Sequence, residues 1–185
     1  MWTHWDTEWL KLLNGQWSPG WDAVWLRITD QHFWWWLYIA LVARISYKLP
    51  ARRAILLLLL VGGMLALNDQ LINLVKAFTG RLRPCNRPDL QQTLHILKCS
   101  PQYSFFSAHA ANSFLLVSAL YYAVRSLFPR PVWLLLFFWA FLMAYSRLYV
   151  GVHFPSDVLT GILEGWLAGY LTASLYRRWE KYVSP

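Results

Sequence analysis

Acidic residues are scarce in this chain of 185 residues, which has nine Asp and Glu against 17 Lys and Arg and a net charge of +8. A basic excess can indicate nucleic-acid binding, but here the basic residues form short clusters between apolar runs. Such clusters are typical of membrane topology and of contacts with lipid head groups. Nucleic acid is therefore not expected as a partner.

Two other features are missing. The first thirty residues lack the charged start and apolar core of a cleavable signal peptide. The five histidines and two cysteines show no spacing typical of a zinc site. We therefore expect an uncleaved N-terminus, and we expect no metal or other cofactor.

Apolar residues make up 57% of the chain, above the roughly 45–50% of an ordinary soluble domain. Five apolar stretches approach the ~20 residues that cross a bilayer, and the first is doubtful because it is short. They cover about 31–47, 53–78, 107–127, 132–149 and 157–176. The sequence thus predicts an all-α fold, a polytopic membrane helical bundle with five to six transmembrane helices.

The region before these stretches, residues 1–30, is rich in tryptophan at helical spacing. The residues that show this spacing are Trp2, Trp5, Trp9, Trp17, Trp21 and Trp25. Short Trp-rich amphipathic helices lie in the membrane interface, and packing without chemistry is their favoured role. We therefore predict interfacial helices at 1–30 and one transmembrane domain at 31–185, with a sixth span inside 1–30 as the alternative.

The basic residues predict which end of the bundle faces the cytoplasm. Nine of them lie in short loops at one end and in the C-terminal tail: Arg44, Lys48, Arg52, Arg53, Arg125, Arg130, Arg177, Arg178 and Lys181. The positive-inside rule places these in the cytoplasm. The long polar loop at 79–106 and the segment around His153 then face outward. We expect a bacterial inner membrane with the functional site on its periplasmic face.

Three groups of residues lie at the outward ends of the predicted spans. They are Lys76, Arg83 and Pro84; then Ser107, Ala108 and His109; then Ser146, Arg147, His153 and Asp157. Fixed cations and a helix N-terminus bind a tetrahedral anion well. A carboxylate that accepts a proton from one imidazole nitrogen leaves the other nitrogen as a nucleophile. The pattern predicts phosphoryl transfer, in which catalysis is mostly positioning and electrostatic stabilisation.

Each residue of these groups has a predicted role. Phosphate would be bound by Lys76, Arg83, Arg147, Ser107 and the backbone N–H of Ala108. His153, oriented by Asp157, would attack phosphorus and carry a transient phosphoryl group. His109 would protonate the departing oxygen and then activate water.

The three groups resemble the three motifs of the type-2 phosphatidic acid phosphatase superfamily. Its members include membrane lipid phosphatases, isoprenoid-diphosphate phosphatases and, more distantly, vanadate-dependent haloperoxidases. The second motif usually has Pro-Ser-Gly-His, whereas this chain has Phe106-Ser107-Ala108-His109, and alanine restricts how closely the chain approaches phosphate. The resemblance covers about residues 50–175. It implies a helical bundle with a site at the outer leaflet and a lipid phosphate or diphosphate as substrate.

The residues do not name the lipid. Undecaprenyl diphosphate is the first choice because the chain is compact and has no domain for a bulky head group. Phosphatidylglycerol phosphate and the phosphates of lipid A are the next candidates. Two rivals from other classes are a non-catalytic protein that binds or transports lipid phosphates, and a haloperoxidase, which the membrane spans disfavour.

The long outward loop contains two cysteines and three further basic residues. Cys85 and Cys99 could form a disulfide that closes about fifteen residues and contributes roughly 3 kcal/mol, and two free thiols are the alternative. Arg81, Arg87 and Lys98 would meet a second phosphate or a sugar, or would be solvated.

Two acidic residues lie within the predicted spans. Asp69 is expected to pair with a basic residue of the bundle. Glu164 lies among Gly161, Gly165 and Gly169, whose four-residue spacing predicts close helix packing, so a structural role is expected for it.

Overall fold

The computed structural model describes residues 4–15 and 18–183 of the chain. Within these ranges the chain is α-helical and contains no strand. Its α-helices are α1 (His4–Asn14), α2 (Pro19–Ile28), α3 (Trp35–Lys48), α4 (Ala51–Thr79), α5 (Ala108–Val124), α6 (Arg130–Tyr149) and α7 (Pro155–Val183). The expectations for Trp2 and Trp17 lie outside the described residues.

Three helices in the described ranges are long and apolar enough to cross a membrane: α4, α6 and α7. Helix α5 has 17 residues and extends about 26 Å at 1.5 Å per residue, whereas α3 has 14 residues and extends about 21 Å. The all-α membrane bundle is thus confirmed. The number of five to six spans stays a prediction.

Helices α5 and α7 pack closely along the glycine stripe predicted from the sequence. A methyl group added at Gly165 would clash with the carbonyl group of Ala111, and one at Gly169 would clash with the hydroxyl of Ser118. Only glycine permits the two backbones to approach this closely. The stripe therefore sets the distance between the two helices that carry His109 and Asp157.

The outward end of this helix pair is held by backbone contacts. A methyl group on Gly161 would lie 2.6 Å from the carbonyl oxygen of Ser107. The backbone N–H of Ser107 donates to the carbonyl oxygen of Asp157 at 3.1 Å. The start of α5 is thereby fixed beside the first turn of α7.

Helix α1 is anchored to the outward end of α6 by Asn14. The side-chain amide of Asn14 donates to the carbonyl oxygens of His95, Leu148 and Tyr149 at 3.0, 3.1 and 2.8 Å. Its oxygen accepts from the backbone N–H of His95 at 2.7 Å. One buried side chain therefore ties α1, the end of α6 and the outward loop together, and it satisfies carbonyl groups that a helix end leaves unpaired.

Three tryptophans of α1 and α2 point away from the rest of the protein, whereas Trp25 stacks on Tyr149 with the ring centroids 5.1 Å apart. Trp5, Trp9 and Trp21 are 47, 53 and 59% exposed, whereas Asp6 and Asn14 are buried. An apolar face turned outward and a polar face turned inward fit a helix in the membrane interface. Packing alone does not account for the buried carboxylate of Asp6.

The outward loop connects the end of α4 to the start of α5. Gly80 ends α4 in the left-handed conformation, with φ of 57°, and its N–H donates to the carbonyl oxygen of Lys76 at 3.0 Å. Cys85 and Cys99 form a disulfide with their Cα atoms 5.7 Å apart. The N–H of Leu97 donates to the carbonyl oxygen of Val150, which joins the loop to the segment that carries His153.

Candidate active site

His153 lies in the short connection between α6 and α7. Gly151 turns the chain there with a positive φ of 79°, a conformation that favours glycine. The N–H of Val152 then donates to the carbonyl oxygen of Arg147 at 3.2 Å. This turn places the imidazole of His153 inside the protein, where the residue is 2% exposed.

Asp157, in the first turn of α7, contacts one nitrogen of that imidazole. Its Oδ2 lies 3.3 Å from Nδ1 of His153 and accepts the backbone N–H of Phe154 at 2.9 Å. The hydroxyl of Ser104 also donates to Oδ2. With Nδ1 as the proton donor to this carboxylate, the other nitrogen, Nε2, keeps its lone pair.

The Nε2 atom of His153 faces a cationic group. It lies 3.4 Å from Nη1 of Arg83. Burial lowers the pKa of His153 to about 3, against the opposing effect of Asp157, and the charges of Arg147 and Arg83 lower it further. The ring is therefore neutral at physiological pH, which is the form a nucleophile requires.

Arg83 belongs to a group of three buried cations, together with Lys76 and Arg147. Arg83 is 4% exposed and is held by the carbonyl oxygen of Gln102, which accepts from Nε at 2.9 Å. Lys76, in the last turn of α4, is 7% exposed and interacts electrostatically with Arg83 and Arg147. Like charges this close repel one another. An anion bound among them removes that cost.

Arg147 has the most direct requirement for such an anion. Its Nη1 donates to the hydroxyl of Thr29, while its buried Nε has no hydrogen-bond partner among the described residues. An unpaired buried donor costs about 1–3 kcal/mol, more when the group is charged. Phosphate offers the planar guanidinium two oxygens in the geometry that it binds best.

The start of α5 supplies the second imidazole. His109 lies in the first turn, within hydrogen-bonding reach of the Thr29 backbone and within electrostatic range of Arg147 and His153. Ser107 is the N-cap residue, and its hydroxyl accepts from the N–H of Ala110 at 3.5 Å. The hydroxyl of Ser107 thus caps the helix, and the positive end of α5, at Ala108, adjoins the cationic group.

Sequence reasoning missed three buried residues near the site, Asp6, Thr29 and Ser104, and it gave a fourth, Arg81, the wrong role. Arg81 is neither solvated nor available to a second phosphate, so both alternatives given for it are wrong. It forms ion pairs with Asp6 and Asp157. In α1, Asp6 lies four residues before Leu10 and eight before Asn14, so the three share the helix side that is buried.

The other candidates in the outward loop and spans, apart from Lys98, have local partners. Arg87 pairs with Asp89, and Lys98 is exposed. Asp69 forms no close ion pair among the described residues: its Oδ1 accepts from the amide of Asn112 at 2.7 Å, and its charge acts on Lys76 at longer range. An amide can replace a cation there because it donates a hydrogen bond without adding a charge.

Glu164 also has an amide neighbour. In the orientation that lets the Asn68 amide donate, its nitrogen lies 2.7 Å from Oε1 of Glu164. Asn68 is buried and also contacts Asn112. These contacts join α4, α5 and α7 and support the structural role expected for Glu164.

A cavity of about 410 Å³ lies between α3, α4, α5 and α6. Most of its wall is apolar, with residues such as Val61 and Leu120, but Asp69 and Asn112 also line it. Asp69 lies seven residues before Lys76, about 10 Å along α4, and Asn112 lies one turn beyond the first turn of α5. The polar part of the wall is therefore the part nearest the cations.

Comparison with known proteins identifies similar chains. The sequence model of the PAP2 superfamily matches residues 55–181, a range that includes all three motif groups. The lipid A 4'-phosphatase of Bacteroides thetaiotaomicron is 31% identical over 172 residues, which cover 90% of this chain and 74% of that protein. The undecaprenyl-diphosphatase of Sulfolobus acidocaldarius is 35% identical over 101 residues, 54% of this chain and 46% of that protein.

A solved structure has a similar fold. The crystal structure of Aquifex aeolicus LpxE superposes with a TM-score of 0.71 at 24% sequence identity, covering 93% of this chain and 96% of that chain. At this identity the likeness concerns the fold alone.

Proposed function

Because this chain belongs to the PAP2 superfamily and is a membrane lipid phosphatase, we propose that it releases inorganic phosphate from an acylated, phosphorylated sugar lipid of the lipid A class through a phosphohistidine at His153. Its membership confirms the resemblance inferred from the motifs. The observation that carries the proposal is the geometry of His153, whose Nδ1 contacts Asp157 and whose Nε2 faces Arg83. Relatives named as phosphatases favour this function over a non-catalytic carrier.

In the first step, Nε2 of His153 donates its lone pair to phosphorus and a phosphorus–nitrogen bond forms. The ester bond between phosphorus and the lipid oxygen breaks, and that oxygen takes a proton from His109, so the lipid leaves as an alcohol. The imidazole ring gains positive charge in this step, which the carboxylate of Asp157 balances. Arg83, Arg147 and Lys76 stabilise the charge on the phosphoryl oxygens.

In the second step, water replaces His153 on phosphorus. His109, now neutral, takes a proton from the attacking water as the oxygen–phosphorus bond forms. The phosphorus–nitrogen bond breaks, its electron pair returns to Nε2, and inorganic phosphate leaves. His109 is protonated again and His153 is neutral again, so both are ready for the next substrate.

The cavity beside the site supports a sugar lipid as the substrate. Its apolar wall fits acyl chains, while the Asp69 carboxylate lies at the end nearest the cations. A carboxylate at this depth accepts hydrogen bonds from hydroxyl or amide N–H groups and repels a second anion. An acylated sugar phosphate carries such donors beside its phosphate. A prenyl diphosphate has a second phosphate in the corresponding place.

The relatives also favour a lipid A phosphate over undecaprenyl diphosphate as the substrate. The relative named lipid A 4'-phosphatase matches over most of both chains, whereas the one named undecaprenyl-diphosphatase matches about half of each. Undecaprenyl diphosphate, the first choice from the sequence, therefore becomes the second candidate. The partial match to the Sulfolobus protein is what keeps it in consideration.

We place the protein in a bacterial inner membrane with the site on the outer face. Basic residues at the end of the bundle away from His153 support this orientation. There Arg44 donates to the carbonyl oxygen of Leu127 at 3.0 Å and Arg177 to that of Tyr122 at 2.6 Å. In this arrangement, residues 1–30 lie in the outer interface over a transmembrane domain at 31–185.

A substrate panel tests the proposed function. The purified protein in detergent is given lipid A phosphorylated at the 4' or 1 position, undecaprenyl diphosphate, phosphatidylglycerol phosphate and a soluble phosphate ester, and released phosphate is measured. We expect the highest kcat/KM with a lipid A phosphate. Release from the soluble ester only, or from none of these, would remove the proposal.

A pair of histidine variants tests the mechanism. His153→Ala should abolish phosphate release and the acid-labile phosphoryl label on the protein, because no other group replaces the nucleophile. The matched control is His4→Ala, since the His4 side chain is 90% exposed and lies outside the site. A fully active His153→Ala variant would contradict the phosphohistidine mechanism.

A further inference from the structure

Helix α1 inserts a carboxylate into the buried charge network behind His153. Asp6 is 1% exposed and Arg81 is 5% exposed, and the two form an ion pair through Nη2 of Arg81. Burying such a pair is costly and is weak evidence for stability by itself. An explanation is therefore needed for why a helix that exposes its tryptophans buries this carboxylate.

The guanidinium of Arg81 connects Asp6 to the catalytic pair. Its Nη2 donates to Oδ2 of Asp6, and its Nη1 donates to Oδ1 of Asp157. The other oxygen of Asp157, Oδ2, contacts Nδ1 of His153. A continuous series of hydrogen bonds thus runs from α1 through the outward loop to the imidazole.

The charges in this series explain why two carboxylates are present. Arg81 carries one positive charge and is contacted by Asp6 and Asp157, so Asp157 shares the guanidinium with a second anion. Asp157 therefore keeps more negative charge for the Nδ1–H of His153. If Asp6 were neutral, Arg81 would be balanced by Asp157 alone, and the planar guanidinium would keep only one of its two charge-assisted hydrogen bonds to carboxylates.

Asp6 has a second set of contacts that fixes its own position. Its Oδ1 accepts the backbone N–H of Ser156 at 2.9 Å, and its Oδ2 accepts the Ser156 hydroxyl at 2.6 Å. Nη1 of Arg81 also donates to that hydroxyl, at 2.8 Å. Asp6 thereby binds the first turn of α7, where a negative charge is favourable, one residue before Asp157.

We propose that Asp6 is a positioning residue of the active site, which acts through Arg81 and Asp157 to hold the His153 imidazole with Nε2 toward the phosphate. The proposal rests on the proposed function for the identity of the nucleophile. Helix α1 is in this view part of the catalytic structure as well as an interfacial helix. Asp6 contacts neither the phosphate nor the lipid.

The variant that tests this is Asp6→Asn, which keeps the size of the side chain and removes its charge. We expect kcat to fall about tenfold to a hundredfold, the size of effect known for hydrogen-bond partners of metal-binding histidines. KM for the lipid should change less than about threefold because no substrate contact is lost. Glu8→Gln is the matched control. Glu8 lies half a turn away on the exposed face and pairs with Lys11.

A double-mutant cycle tests whether Asp6 acts through Arg81 or only attaches α1 to the bundle. In an Arg81→Gln background, Asp6→Asn should reduce kcat less than twofold further, because the two residues act in one series. Additive losses would overturn the proposal, as would wild-type kcat in Asp6→Asn alone.

Nitrogen NMR of the His153 ring measures which ring nitrogen carries the proton. This property would not change if Asp6 only attached α1 to the bundle. In wild-type protein and Glu8→Gln we expect the tautomer protonated at Nδ1, and in Asp6→Asn a mixture of both tautomers. If Asp6→Asn has a reduced kcat but unchanged ring signals, the proposal is overturned. This measurement applies even if Arg81→Gln has no turnover and the double-mutant cycle gives no result. If the wild-type protein hydrolyses no lipid in the panel, the proposed function fails, yet these ring signals still test Asp6.

Discussion

Oδ2 of Asp157 lies 3.3 Å from Nδ1 of His153, and both residues are almost completely buried. The carboxylate orients the ring through the nitrogen that does not react, so the reactive nitrogen is directed at Arg83 on the opposite side. Because the two residues are four positions apart on either side of the start of α7, the turn of that helix sets the geometry. The relative position of the two side chains is therefore set before the substrate binds.

The buried imidazole predicts how stability depends on pH. Burial lowers the pKa of His153 to about 3, whereas an unfolded chain has a histidine pKa of about 6.5. Between these values the unfolded state binds a proton that the folded state does not, so stability falls as pH decreases from about 6.5 toward 3. The contribution is fully present above about pH 6.5. It should appear in thermal unfolding of the detergent-solubilised protein across this range.

Replacing the ring identifies the group responsible. His153→Gln should lose less thermal stability than the wild-type protein between pH 6.5 and 4, because it has no imidazole to protonate on unfolding. His4→Gln, an exposed control, should follow the wild-type curve. Parallel curves for wild-type protein and His153→Gln would show that another group controls the acid sensitivity.

Arg147→Lys tests whether phosphate binding requires a guanidinium. Lysine keeps the positive charge but cannot form two parallel hydrogen bonds, so kcat/KM should fall about a hundredfold, which corresponds to about 2.7 kcal/mol. Vanadate, which resembles five-coordinate phosphorus, should inhibit the wild-type enzyme at much lower concentration than the variant. Initial rates of phosphate release with and without vanadate provide both measurements.

The matched control for this substitution lies on the same helix. Arg130 begins α6 at the opposite end from Arg147 and is exposed. Arg130→Lys should retain wild-type turnover and vanadate sensitivity. Near-normal turnover in Arg147→Lys would contradict the role assigned to the buried guanidinium.

Much of the fold follows from the length of the apolar stretches alone. Where a helix end differs from the prediction, the difference has a physical cause. Helix α4 matches the predicted stretch at 53–78 within two residues at its start and one at its end. Helix α7 continues to Val183, seven residues beyond the predicted end at 176. Its last turns contain Arg177, Arg178 and Lys181, so they leave the apolar region while the helix itself continues.

The site was predictable where its residues lie close together in the chain. His153 and Asp157 are fixed relative to each other by a single turn, and Lys76 and Arg83 by the end of one helix. Asp6 contacts Ser156 across 150 positions, and Thr29 contacts Arg147 across 118. Such contacts depend on how α1 and α2 pack on the finished bundle, and local spacing carries no information about that packing.

Asp69→Leu tests the substrate preference assigned to the cavity. Removing the carboxylate eliminates an acceptor for hydroxyl and amide groups and also eliminates its repulsion of a second phosphate. We expect kcat/KM for a lipid A phosphate to fall about tenfold, the loss of roughly one hydrogen bond to a charged group. Turnover of undecaprenyl diphosphate should stay constant or rise. The ratio of the two kcat/KM values is the quantity to measure.

A neighbouring residue controls for a polar-to-apolar change on α4. Gln70 is exposed and does not line the cavity, so Gln70→Leu should leave the ratio unchanged. Equal losses for both lipids in Asp69→Leu would show that Asp69 supports the site in general and does not select the substrate.

Gly165→Ala tests whether the spacing of α5 and α7 controls the chemistry at their outward ends. The added methyl group would clash with the backbone of Ala111, which cannot move without shifting α5 as a whole. The helices should separate, with a lower unfolding temperature and reduced kcat, because His109 and Asp157 lie on different sides of this contact. Gly63→Ala is the matched control, since a methyl group there meets nothing within 4 Å. Wild-type turnover and stability in Gly165→Ala would mean that the catalytic groups hold their positions independently of the glycine contact.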